Sequence, residues 1–183
     1  LFGTDGISVR RAKITFANGC IECVGPNLET AGLALLWPIE GFGRVLLPTT
    51  CLPERDRPYI LNVELARAKL MQITNRREDW SFFDSLEGME EISKQSQEQF
   101  IKAIQSIQDA PAASQLADSS LRKATIYSEK LAGRQGKLVF DRRRKSHGVG
   151  RGCLGCGLDP NLIAKPQYLD RALEDFASVT LPI

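Results

Sequence analysis

Cys20-Ile21-Glu22-Cys23 and Cys153-Leu154-Gly155-Cys156 are the residues whose types and spacing come nearest to a recognised chemistry. Four thiolates at that internal spacing can enclose a tetrahedral zinc ion. Zinc ribbons close a loop of about 15–20 residues between the two pairs. Here the whole middle of the chain intervenes, and Cys20 and Cys23 fall in a strand-like segment that aims them at opposite faces. Small side chains without a metal are the expectation. Cys51 makes the count odd, and residues 52–152 hold no cysteine, so reduced thiols are expected rather than a disulfide framework. Gly150-Arg151-Gly152-Cys153-Leu154-Gly155 has the spacing of a dinucleotide loop. No β-run precedes it and Asp159-Pro160 interrupts the helix that should follow, so no cofactor is expected.

Arg142-Arg143-Arg144-Lys145, with Arg134, Lys137 and Arg151 nearby, could neutralise phosphates. No aromatic residues interleave with them to stack on bases, and cations at a helix C-terminus are favoured by its dipole. Nucleic acid is therefore not the expected partner. His147, the single histidine, lies in a glycine-rich stretch, a poor support for a Ser–His or Cys–His couple. Glu54, Asp56, Glu64, Glu78 and Asp79 alternate with Arg55, Arg57, Arg67, Arg76 and Arg77. That pattern reads as surface or interface charge, not as a pair of hydrolytic carboxylates. No catalytic residue is assigned. Trp37 and Trp80 are the candidates for stacking on sugar rings, set against the commoner fate of a buried tryptophan.

The elements that would position these residues change in character along the chain. The 183 residues carry 24 basic and 22 acidic side chains, a net +2, too balanced to imply a polyanion partner on global grounds. No apolar run approaches the roughly 20 residues of a membrane span. Residues 1–52 read as a β-rich part: Ile7–Val9, Lys13–Phe16, Ile21–Val24, Leu33–Trp37 and Arg44–Leu47 are strand-like, with Asn18-Gly19 as a hairpin turn. Residues 53–145 read as an antiparallel helical bundle. Its first helix starts at Pro58 and buries Val63, Ala66, Leu70 and Ile73. Its second is capped by Asp84 with Glu87 and runs to about Gln108. Its third is capped by Asp109 and buries Ala117, Leu121, Ala124, Tyr127 and Leu131. Residues 146–183 read as a linker, a turn at Asp159-Pro160, a helix from about Gln167 and a terminal strand, with further chain expected beyond it. The fold class expected is α+β.

Two segments resemble a known family. Thr50-Cys51-Leu52-Pro53-Glu54-Arg55-Asp56-Arg57-Pro58-Tyr59-Ile60-Leu61-Asn62-Val63-Glu64-Leu65-Ala66-Arg67, continuing to Arg77-Glu78-Asp79-Trp80, resembles the region ahead of the catalytic domain in planctomycete-type family 10 glycoside hydrolases, the endo-1,4-β-xylanases. Gly155-Cys156-Gly157-Leu158-Asp159-Pro160, then Pro166-Gln167-Tyr168 and Phe176-Ala177-Ser178-Val179-Thr180, is similar to the first strand, first helix and second strand of that family's (β/α)8 barrel. The family places a substrate-binding Glu-Asn pair directly after the second strand, where this sequence has Leu181-Pro182-Ile183. The resemblance implies a parent that hydrolyses xylan with two glutamates, neither of which is matched here. A barrel needs about 250 residues, so residues 146–183 can hold only its truncated start, a βαβ-like stub.

The function expected is that of a non-catalytic accessory region of a xylanase-like hydrolase. Its partners would be a xylan-like polysaccharide, met through Trp37 and Trp80, and a downstream catalytic barrel. The alternative is a protein-interaction or scaffold module with no carbohydrate role, its interface built on the helices and the Arg/Glu-rich segment 54–79.

Overall fold

The computed structural model describes residues 1–25, 30–80, 88–147, 155–176 and 178–181. The fold is mixed α and β, the described residues forming small antiparallel ribbons, four helices and one parallel strand pair. Two compact units divide the chain, Leu1–Gln135 and Gly136–Ile183.

In the first unit, β1 (Lys13–Ala17) and β2 (Cys20–Val24) form the hairpin read from Asn18-Gly19. Both turn residues have positive φ, 53° and 74°, the conformation a two-residue turn requires to follow the strand twist. The segment Ile7–Val9 departs from expectation. Only Ser8 bridges, to Phe2, because the N-terminal segment pairs instead with the next ribbon. Phe2 and Gly32 exchange N–H···O bonds of 2.9 and 2.8 Å, and a Cβ on Gly32 would overlap the Phe2 ring.

That ribbon joins β3 (Thr30–Ala31) to β6 (Leu52–Pro53) and β4 (Ala34–Ile39) to β5 (Gly43–Pro48), all antiparallel. Strand alternation sends Leu35, Trp37, Ile39, Val45 and Leu47 to the helical core. The cross-strand partners Leu36 and Leu46 on the other face remain 61% and 64% exposed.

Helix α1 (Leu61–Asp79) begins three residues after Pro58, since Ile60 is still extended (φ −82°, ψ 104°). Helix α2 (Glu90–Gln105) follows Gly88, whose φ of 79° cannot continue a right-handed helix. The Asp84–Glu87 cap falls outside the described residues. Helix α3 (Ala110–His147) starts as expected, with the Asp109 carboxylate accepting from the Ala112 N–H at 3.1 Å. It runs through Gly133 and Gly136 and takes in Arg142–Lys145, so the basic run forms its last turns.

Two core clusters fix the helix directions. Val63, Leu65 and Ala66 share one with Ala103, Ala113, Ala117 and Leu121, while Ile73 shares the other with Met89, Ala124, Tyr127 and Leu131. The numbering rises along α1 and α3 as it falls along α2, giving an up-down-up bundle of antiparallel neighbours. Side chains buried in α3 recur at positions 113, 117, 120, 124, 127 and 131, alternating steps of four and three. Ala and Ser dominate this seam, so α2 and α3 approach closely. Ser96 and Ser120 each donate from Oγ to the other's carbonyl, at 2.9 and 2.8 Å.

The second unit contains β7 (Gly155–Gly157), α4 (Pro166–Asp175) and β8 (Ser178–Thr180). Gly155, Cys156 and Gly157 pair in parallel with Ser178, Val179 and Thr180, so this is a βαβ element. Asp159-Pro160 makes the expected turn: the Asp159 carboxylate accepts from the Asn161 N–H at 2.9 Å. Pro166 opens α4, where its missing N–H costs nothing.

Candidate functional site

The two tryptophans proposed for sugar stacking lie in different places. Trp37, on β4, is half-buried against the cluster of Ile39, Leu47 and Val63. Trp80 follows α1, half-buried against Ile73, Met89 and Tyr127. The Arg76 guanidinium lies 5.8 Å from the Trp80 ring centre, so part of that ring already has a cation over it. The two indoles belong to separate core clusters, and each gives up part of its surface to packing.

The Arg-rich segment 54–79 is mostly committed to its own structure. Arg55 donates to the Arg57 and Pro58 carbonyls at 2.8 and 3.2 Å and stacks 3.4 Å from the Tyr59 ring centre, whose hydroxyl donates to the Pro53 carbonyl. Arg57 reaches Gln108 Oε1 at 2.9 Å, tying the entry to α1 to the turn between α2 and α3. Among the described residues of this segment one ion pair forms, Arg67 Nε to Glu64 Oε2 at 2.9 Å. Glu64 is buried and Arg67 also faces Phe100 at 5.4 Å. Glu54, Asp56, Glu78 and Asp79 are exposed and do not converge on a common partner. The acids and bases thus fix a loop and a helix face.

Lys69 is the titratable group with the clearest perturbation here. Partial burial lowers its pKa, Arg76 pushes in the same direction, and Glu129 partly opposes both. Its ammonium donates to Gln72 Oε1 at 3.2 Å. Sequence pattern gave no sign of this lysine, because its type reads as surface even though Leu65, Ala66 and Ile73 are its neighbours on the helix.

Cys20 and Cys23 are free and exposed on β2, in register with Ala17 and Ile14 and so on opposite faces. Desolvation raises the Cys23 pKa, with the Leu1 ammonium pulling weakly the other way, so the thiol form is favoured. Cys51 and Cys156 are free as well. Cys153 and most of the glycine-rich loop, residues 150–154, lie outside the described residues. Among the described residues no three His, Cys, Asp or Glu side chains gather as metal ligands would. No described helix is long and apolar enough to cross a membrane.

An open cleft of about 930 Å3 lies in the second unit. Leu158, Tyr168, Ala172 and Phe176 give it an apolar floor, while Lys165 and Glu174 stand among its charged lining residues. The Tyr168 hydroxyl accepts from the Asp159 N–H at 3.0 Å and fixes the turn over α4. Leu158 is buried, Leu162, Tyr168 and Phe176 are half-buried, and Leu173 is 60% exposed. The cleft has the chemistry of a packing surface. Cys156, Asp170 and Arg171 also line it.

Compared with protein families, curated proteins and solved structures, the chain matches none.

Proposed function

We propose that the chain is the non-catalytic accessory region of a xylanase-like glycoside hydrolase, followed by the first βα unit and second strand of its barrel. The observation that carries this reading is the parallel register of Gly155–Gly157 with Ser178–Thr180 across α4. Those are the segments whose sequence resembles the opening of the family 10 barrel, and strand–helix–parallel strand is the repeat from which such a barrel is built. Parallel sheets are covered on both faces in folded proteins. The exposed Leu173, Val179 and Leu181 then await neighbouring βα units of the parent.

In this reading the first unit stands ahead of the barrel. Its glycan contact would be the exposed part of Trp37 or Trp80. The decisive experiment measures xylan hydrolysis by the product of the native coding sequence beside that of this 183-residue chain. Activity in the longer product and none in the chain is expected. A native product no heavier than 20.3 kDa, or a longer one inactive on xylan, would overturn the reading.

One observation favours the second reading, an interaction module without a carbohydrate role. The outer face of β4–β5 presents Leu36 and Leu46 side by side to solvent, while both tryptophans turn towards the core. Sedimentation with insoluble xylan separates the two. Binding that weakens in Trp37→Ala or Trp80→Ala supports glycan recognition. Binding absent from the parent chain, with self-association or partner binding lost in Leu36→Ser, supports the interaction module.

A further inference from the structure

Where α1, α2 and α3 meet, the first unit holds a cavity of about 30 Å3, partly open to solvent and lined in part by the exposed Thr74, Arg77 and Gln97. Tyr127 lines it, is 1% exposed, and its hydroxyl has no hydrogen-bond partner among the described residues. Thr74, Ser93 and Ser96 contribute three more hydroxyls to the lining. Such a group is costly to bury unpaired, and polar cavities of this size take up water where apolar ones stay dry.

We propose that this cavity is an internal hydration site, holding one or two water molecules that join α1, α2 and α3 through the Tyr127 hydroxyl. The donor and acceptor inventory selects water over an ion. Thr74 Oγ1 already donates to the Leu70 carbonyl at 3.2 Å and Ser96 Oγ to the Ser120 carbonyl at 2.9 Å, so both have only lone pairs left to offer. Tyr127 still has its proton to give. A guest must therefore accept from Tyr127 and donate to Thr74 and Ser96, as a water molecule does. Among the described residues no carboxylate lines the cavity to hold a cation; Arg77 and Gln97 also line it but are exposed, so their donors stay solvated, and the hydroxyls of Tyr127 and Ser93 alone are too few to desolvate an anion. The site would be part of the bundle itself and does not depend on the hydrolase reading.

The test is oxygen-17 magnetic relaxation dispersion of the solvent, which counts long-lived waters without interference from exchanging hydroxyl protons. The protein is compared with Tyr127→Phe, which removes one oxygen and keeps the shape, and with Ala124→Val, which fills the cavity from α3. The expected result is a dispersion step in the parent larger by one or two waters than in either variant. An equal step in the parent and a folded Tyr127→Phe would overturn the proposal, as would the absence of any step in the parent. Should Ala124→Val fail to fold, the Tyr127→Phe comparison decides; should both fail, the step in the parent decides.

Discussion

At the scale of single residues, Lys69 shows how burial of a charge becomes a dependence on pH. Its pKa is lowered on folding, first by burial and then by Arg76, against the pull of Glu129. Between that lowered value and the ordinary 10.5 the unfolded chain holds the proton that the folded chain has released. Stability contributed by this group therefore rises with pH across the window, and below it the whole penalty is present. Lys69→Met keeps the aliphatic stem and removes the charge. It should raise the urea midpoint at about pH 7, and the advantage should shrink by about pH 10. Urea titrations of parent and variant at both values check this. A midpoint at neutral pH equal to or below the parent's would mean that the Gln72 bond outweighs the desolvation. Ser96 and Ser120 teach the complementary lesson. They are buried polar residues that satisfy each other's backbone, and periodicity alone could not count them as core because their type reads as surface.

At the scale of elements, legibility tracked the strength of the local signal. Asn18-Gly19 specified its hairpin because positive φ at both turn residues is a local property, and Asp109 specified the start of α3 because capping is local too. The faces of α1 and α3 were readable from spacing, with Val63, Ala66, Ile73, Leu121 and Leu131 all buried. Pro58 misled. The starts of α1 and α2 were set by the extended Ile60 and by the left-handed Gly88, and neither conformation is implied by the residue types before it. The pairing of Phe2 with Gly32 was illegible for a different reason: it joins segments far apart in sequence. Gly32→Ala should break it, since the new methyl would occupy the position of the Phe2 ring. A loss of about 1–3 kcal/mol is expected, the usual cost of overpacking a filled site. The loss should fall in Phe2→Ala/Gly32→Ala, where the ring is gone. Urea unfolding of the two singles and the double provides the cycle, and strict additivity would show that the Phe2 ring does not cover Gly32.

At the scale of the whole molecule, the distribution of buried residues implies unequal autonomy for the two units. Both core clusters are complete by Leu131, and the first unit ends at Gln135. Leu65, Leu121 and Leu131, each at most 2% exposed, contribute about 1.5–3 kcal/mol apiece, enough with their neighbours to hold a bundle of this size. In the second unit, the described residues bury only Leu158 and Ala172 among apolar side chains. One βαβ element with so little interior cannot offset the entropy of ordering its own chain. A protein ending at Gln135 should therefore melt cooperatively, within about 2–4 °C of the full chain, the shift that corresponds to about 1 kcal/mol at this size. Residues 136–183 alone should show no cooperative melt by circular dichroism. If removal of the second unit instead abolished the transition of the first, the bundle would depend on residues 136–183 for its stability. If the isolated second unit melted cooperatively, its open cleft would belong to a self-sufficient fold, and the case for a barrel that must complete it would lose its physical basis.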